Sequence, residues 1–136
     1  MMQQDTICAI ATAQGGAIGV IRVSGPEAIT ITSRFFIPVG NKPLEERKAH
    51  TLTFGKILSA EGEIIDEVLV SVFRAPHSYT GEDSTEISCH GSSYILQQVM
   101  HRLIECGCRL AEPLMKKPKQ TFWSTQYIYQ IIILYT

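Results

Sequence analysis

The sequence predicts an α+β domain, a mixed sheet with two main helices on one side. Three observations predict it. Apolar residues recur with a period of two over residues 18–23, 64–74 and 85–89, as strands require. Residues 92–106 place Leu96, Val99, Met100, Leu103 and Ile104 on one helical stripe, with Gly107 where a C′ glycine belongs. Ser24-Gly25-Pro26-Glu27 has the form of a capping box ahead of a helix reaching about residue 36, with a serine N-cap, a proline in the first turn and a glutamate at N3.

Taken in order, residues 6–12 form a nearly continuous apolar run that reads as a strand buried on both faces. Gly15-Gly16 then permits a tight turn. In the strand 18–23, Ile18, Val20 and Arg22 share one face and Ile21 and Val23 the other. Ile29-Thr30-Ile31-Thr32 is β-branched and a weak helix former within the first helix. Residues 38–48 read as a polar loop. Strands 51–58 and 64–74 flank Glu61-Gly62-Glu63 as a hairpin, and Val68, Val70 and Val72 share a face. In 85–89, Thr85, Ile87 and Cys89 alternate against Glu86, Ser88 and His90; residues 108–111 add a last strand.

The length of 136 residues suits one domain with an appendage, and 45% apolar residues suffice for a packed core. A net charge of -1 gives no electrostatic case for binding nucleic acid or a membrane surface. The N-terminus lacks a signal-peptide pattern, and the longest apolar run, residues 131–135, is too short to span a bilayer, so a cytoplasmic location is expected. Cys8, Cys89, Cys106 and Cys108 read as small buried hydrophobes: Cys106-Gly-Cys108 is not C-x-x-C, and Cys89-His90 has no second pair at zinc spacing. No metal is expected. A phosphate-cradling G-x-x-x-x-G-K-[ST] loop is absent from the sequence.

The densest polar stretch runs from Pro76 to Gly91, with three acids, two histidines and several turn formers. Ser78, Tyr79 and Thr80 read as loop-shaping residues, with Gly81 at positive φ. Glu82 and Asp83 suit an N-cap or an acid pair, but adjacent acids point apart. His77 and His90 have the bland reading of structural histidines. Arg22 and Glu86 are the odd members of their strands, because a guanidinium or carboxylate amid apolar neighbours is costly unless paired. They either pair with one another as scaffold or line a polar pocket, where a carboxylate accepts hydrogen bonds from an amino-pyrimidine edge and an arginine binds a carbonyl or carboxylate.

Asp5-Thr6-Ile7, Ile18-Gly19-Val20-Ile21-Arg22-Val23-Ser24-Gly25 and Tyr79-Thr80-Gly81-Glu82-Asp83 with Glu86, His90 and Gly91 resemble the N-terminal domain of the MnmE/TrmE family of tRNA-modification GTPases. The resemblance runs to Pro113, so residues 1–113 are expected to be a folate-binding and dimerisation domain. It implies 5-formyl- or 5,10-methylene-tetrahydrofolate as the ligand, with Arg22 and Glu86 as its contacts and Ser78 to Asp83, His90 and Gly91 shaping the pocket. It implies a homodimer whose whole-length relatives modify uridine-34 of tRNA with the flavoprotein MnmG/GidA, while potassium, magnesium and GTP belong to a GTPase domain. This chain alone is then not a catalyst.

Three departures are expected to matter, the third being that the family's helical and GTPase domains have no counterpart in this sequence. Ala13-Gln14-Gly15-Gly16 is one residue shorter than the family's first loop and lacks its arginine. Residues 114–136 match nothing, read as frameshifted or unselected sequence, and omit a third basic folate contact. The alternative function is therefore a non-functional remnant with an incomplete pocket, and the alternative for the tail is a C-terminal strand or a docking segment.

Overall fold

A computed structural model describes residues 5–13, 15–78 and 80–111. Residues 114–136 and Tyr79 thus lie outside the described residues. The strands are β1 (Ile7–Ile10), β2 (Ile18–Ser24), β3 (Phe36–Pro38), β4 (Thr51–Leu58), β5 (Ile64–Phe73), β6 (Ser84–His90) and β7 (Arg109–Leu110). Helix α1 (Ala28–Arg34) follows β2, and α2 (Ser93–Glu105) follows β6. The strands form one seven-stranded sheet in the order β3-β4-β5-β6-β2-β1-β7. All neighbours are antiparallel except β1 and β7, so the expected mixed sheet is present.

Both helices cover the same face. Ile29 and Ile31 of α1, and Leu96, Val99, Met100 and Leu103 of α2, pack with Ile21, Val23, Val68, Val70, Val72 and Ile87 in one core. Each such aliphatic side chain contributes about 1.5–3 kcal/mol on full burial. A smaller cluster of Ile7, Ala9, Ala11 and Ala111 lies across β1, which is therefore buried on both faces. The Ser92 hydroxyl caps α2 by accepting from Ile95 N–H. Gly107 ends that helix with φ of 115°, the left-handed position its sequence place predicted.

Two expectations need correction. Ser24 is not the N-cap of α1: it ends β2, and Glu27 holds the cap position without a side-chain cap bond. Gly25 turns the chain at φ of 142° against Thr6, and the Thr6 hydroxyl accepts from Glu27 N–H instead. The loop 38–48 also begins with structure. Phe36 pairs with Ile57 across β3 and β4, and Leu44–Glu46 forms a 3-10 turn. Pro38 looked like a loop signal, yet on an edge strand its missing N–H costs nothing.

The glycine-rich turn and the polar stretch meet at one end of β2 and β6. Gly91 N–H donates to Ala17 O at 2.9 Å, and a Cβ on Gly91 would lie 1.9 Å from Gly16 O. Gly91→Ala should therefore lower unfolding free energy by about 1–3 kcal/mol or more. Urea denaturation checks this against Gly16→Ala, where a Cβ meets nothing closer than 3.6 Å and the loss should be smaller.

Candidate functional site

The site lies on the sheet face that bears no helix among the described residues. The β2–β6 register sets Arg22 directly opposite Glu86, with Val20 opposite Ser88 and Ile18 opposite His90. On the next strand Ser71 faces Glu86 and Leu69 faces Ser88. Arg22 Nη2 lies 2.7 Å from Glu86 Oε2. The guanidinium is 1% exposed and the carboxylate 15%, so Glu86 is the member of the pair that reaches solvent. Of the two readings of these residues, pairing with one another describes this geometry. It does not exclude a ligand, because the buried arginine holds and orients a carboxylate that faces outward.

The loop between β5 and β6 lies over one end of this face. Ser24 Oγ is 2.7 Å from Thr80 Oγ1 and donates to Glu82 Oε1 at 3.2 Å. Ser78 Oγ donates to Glu82 O, and Gly81 has φ of 78°, as its loop role predicted. Asp83 points elsewhere: its Oδ1 accepts from Ala75 N–H, and its carbonyl accepts from Gly25 N–H. The adjacent acids thus do not form a pair. Burial is the main influence on Glu82 and raises its carboxyl above the usual 4.5; the Ser24 bond lowers it, and the neighbouring Asp83 charge raises it. The loop also contains a cis Ala75-Pro76 bond.

At the opposite end, His90 is gripped twice. Asp66 Oδ2 accepts from His90 N–H at 2.9 Å, and Asp66 Oδ1 lies 2.8 Å from His90 Nδ1. This fixes the ring and turns Nε2 outward, while the imidazole stays exposed. A cavity of about 200 Å³ here is lined by residues including Ile18, Phe54, Glu67, Leu69, Ser88 and His90. Asp66 escaped the sequence reading, although a signal existed: it shares parity with Val68, Val70 and Val72, and an acid on the buried parity of a strand needs a partner. A second cavity, of about 330 Å³, lies at the loop end between His50, Phe73, His77 and Ser78. His50, one of its lining residues, has φ of 63°, a backbone conformation that no sequence pattern announces.

The cysteines are free thiols. Burial, reinforced by the Asp66 charge, pushes Cys89 up to about 11, and the Cys8 thiol together with burial raises Cys108. Neither is a ready nucleophile. Among the described residues no group of three or more His, Cys, Asp or Glu side chains could hold a metal ion, and no helix is long and apolar enough to cross a membrane.

Comparison with known proteins decides the family. Residues 6–113 match the family model described as GTP-binding protein TrmE N-terminus. This chain belongs to that family. Over 113 residues it is 75% identical to the tRNA modification GTPase MnmE of Bacteroides fragilis, covering 82% of this chain and 24% of the relative. The MnmE of Phocaeicola vulgatus is 58% identical over 145 residues, covering 83% and 29%, and that of Flavobacterium johnsoniae is 54% identical over 113 residues, covering 82% and 24%. The chain thus spans about a quarter of the length of the curated relatives it matches.

Glu86→Leu alone removes the carboxylate facing a buried guanidinium and should cost about 3–5 kcal/mol, whereas Arg22→Met with Glu86→Leu should recover most of that loss. Urea unfolding of both singles and the double measures it; a double as unstable as the summed singles contradicts it. For Glu82 the folded state favours the protonated form, so its stabilising contribution is present at acid pH and lost as pH rises through the raised pKa. Glu82→Gln, which keeps an acceptor for Ser24, should raise Tm at pH 7.5, with the gain vanishing below pH 4.5.

Proposed function

We propose that this domain binds a reduced folate, formyl- or methylene-tetrahydrofolate, and dimerises, as the N-terminal part of a GTPase that modifies the wobble uridine of tRNA. The observation that carries the folate reading is the Glu86 carboxylate, part-exposed on an open sheet face and backed by buried Arg22. An ionised carboxylate accepts two parallel hydrogen bonds, which suits the N–H donors along a pterin's amino-pyrimidine edge. The loop pinned by Ser24 and the cavities on either side give the pair walls, as a planar ligand requires. In this reading Glu86 meets the ligand, Arg22 orients Glu86, and the folate supplies a one-carbon unit.

Dimerisation is supported by the same face. Ile18, Leu52, Phe54 and Leu69 are exposed on it, and Phe54 and Leu69 are cross-strand neighbours. Exposed apolar residues gathered on one face mark an interaction surface. A second copy of this chain is the occupant we infer, which would bring the two ligand sites near the interface. The GTPase reaction, its potassium and magnesium, the flavoprotein partner and tRNA belong in this proposal to the part of the protein that the relatives carry beyond this domain.

Titration calorimetry with 5-formyltetrahydrofolate tests the ligand reading. Binding that is lost in Glu86→Gln is expected, and no heat at millimolar ligand overturns it in favour of a remnant with an incomplete pocket. Sedimentation velocity tests the assembly: Phe54→Glu should convert a dimer to monomer, and a monomeric wild type refutes the interface.

A further inference from the structure

Three of the four thiols gather at one corner of the sheet, on the side that the helices cover. Cys8 lies in β1, Cys106 caps the C-terminus of α2, and Cys108 stands just before β7. Cys8 and Cys108 are 0% and 5% exposed, while Cys106 is half-buried at the margin of the same core. Backbone bonds build this corner. Cys108 N–H donates to Leu103 O, which closes α2 beyond Gly107. Arg109 N–H then donates to Thr6 O and Ala111 N–H to Cys8 O, which lays β7 along β1. The Cys8 and Cys108 side chains are thereby brought into hydrogen-bonding contact, thiol against thiol.

Two thiols in contact form a dithiol ready to be joined. We propose that Cys8 and Cys108 are a modification site for small disulfides of the glutathione class, which convert the pair to an intramolecular disulfide. The Cys108 sulfur, as thiolate, attacks one sulfur of the small disulfide and breaks its S–S bond. One small thiol leaves with the proton that Cys108 gave up, and the other half stays on Cys108 as a mixed disulfide. The Cys8 sulfur then attacks the Cys108 sulfur and expels the second small thiol, which takes the Cys8 proton. The protein is oxidised by two electrons, and the small disulfide is reduced to two thiols.

The surroundings decide the order of events. The bond to Cys8, burial and the neighbouring Cys106 and Glu27 groups all hold Cys108 protonated while the corner is closed. Reaction therefore waits for β7 to lift, because the thiolate is the nucleophile. That strand has two residues, both exposed, at the edge of the sheet. Opening an edge of this kind takes far less free energy than unfolding the domain. Cys8, in a strand paired on both sides, stays in place as the resolving thiol. The finished disulfide closes a loop around nearly the whole described domain, the arrangement in which a cross-link constrains the unfolded chain most. It also pins the edge from which the chain runs on past residue 111.

The test treats the folded full chain with oxidised glutathione, alkylates the remaining thiols and reads the unreduced digest by mass spectrometry. The expected product joins Cys8 to Cys108 and reverts with dithiothreitol. Its Tm should exceed that of the reduced chain by about 10 °C. In Cys8→Ala, Cys108 should keep its glutathione, because the resolving thiol is gone. In Cys106→Ser the link should form within about twofold of the wild-type rate, because the half-buried thiol takes no part. Wild type whose Cys8 and Cys108 both remain open to alkylation only after unfolding overturns the proposal. A link that runs through Cys106 or Cys89, or one that Cys106→Ser abolishes, overturns it as well.

Discussion

Because β2 and β6 pair antiparallel from Ile18 opposite His90 to Ser24 opposite Ser84, a single register fixes the whole open face. It sets Arg22 against Glu86 at the centre. It brings Gly91 onto Gly16 at one end, where no side chain fits between the two backbones. It brings Ser24 within reach of Thr80 and Glu82 at the other. A slip of one residue would turn Arg22 into the helix-covered core and Ile21 outward, so burial of Ile21, Val23 and Ile87 enforces the register that the ion pair needs.

The ion pair is therefore a consequence of core packing before it is a site. Burying a guanidinium costs several kcal/mol even after partial relaxation, and a well-placed carboxylate offsets that cost without an obvious gain over apolar residues. A fold under selection for stability alone would do as well with Met and Leu there. Retaining a charged pair on the one face that the helices leave open, between two cavities, is the pattern expected of recognition chemistry.

Much of this was legible in the residues. The period-two runs gave β5 and β6 nearly whole, and the stripe from Leu96 to Leu103 gave α2, because these elements bury one face along their full length. Arg22 and Glu86 stood out as charges at strand positions. What escaped depended on contacts distant in sequence. Ser24 has a capping residue's neighbourhood, but Thr80 and Glu82, over fifty positions away, take its hydroxyl. The grip of Asp66 on His90 spans 24 positions, and β3 is too short to show a period. The cavity of His50 and His77 arises from a backbone turn and a loop, neither of which has periodicity.

In the proposed function, Glu86, backed by Arg22, anchors a reduced folate. The most direct measurement is the thermal shift given by 5-formyltetrahydrofolate to wild type and to the Arg22→Met, Glu86→Leu double variant, which removes the charges while keeping an apolar pair of similar size. A ligand that binds only the folded state raises its stability by RT ln(1 + [L]/Kd), about 2.7 kcal/mol at a hundredfold excess over Kd. Wild type should show a rising Tm and a folded double variant no shift. An equal shift in both proteins would contradict it.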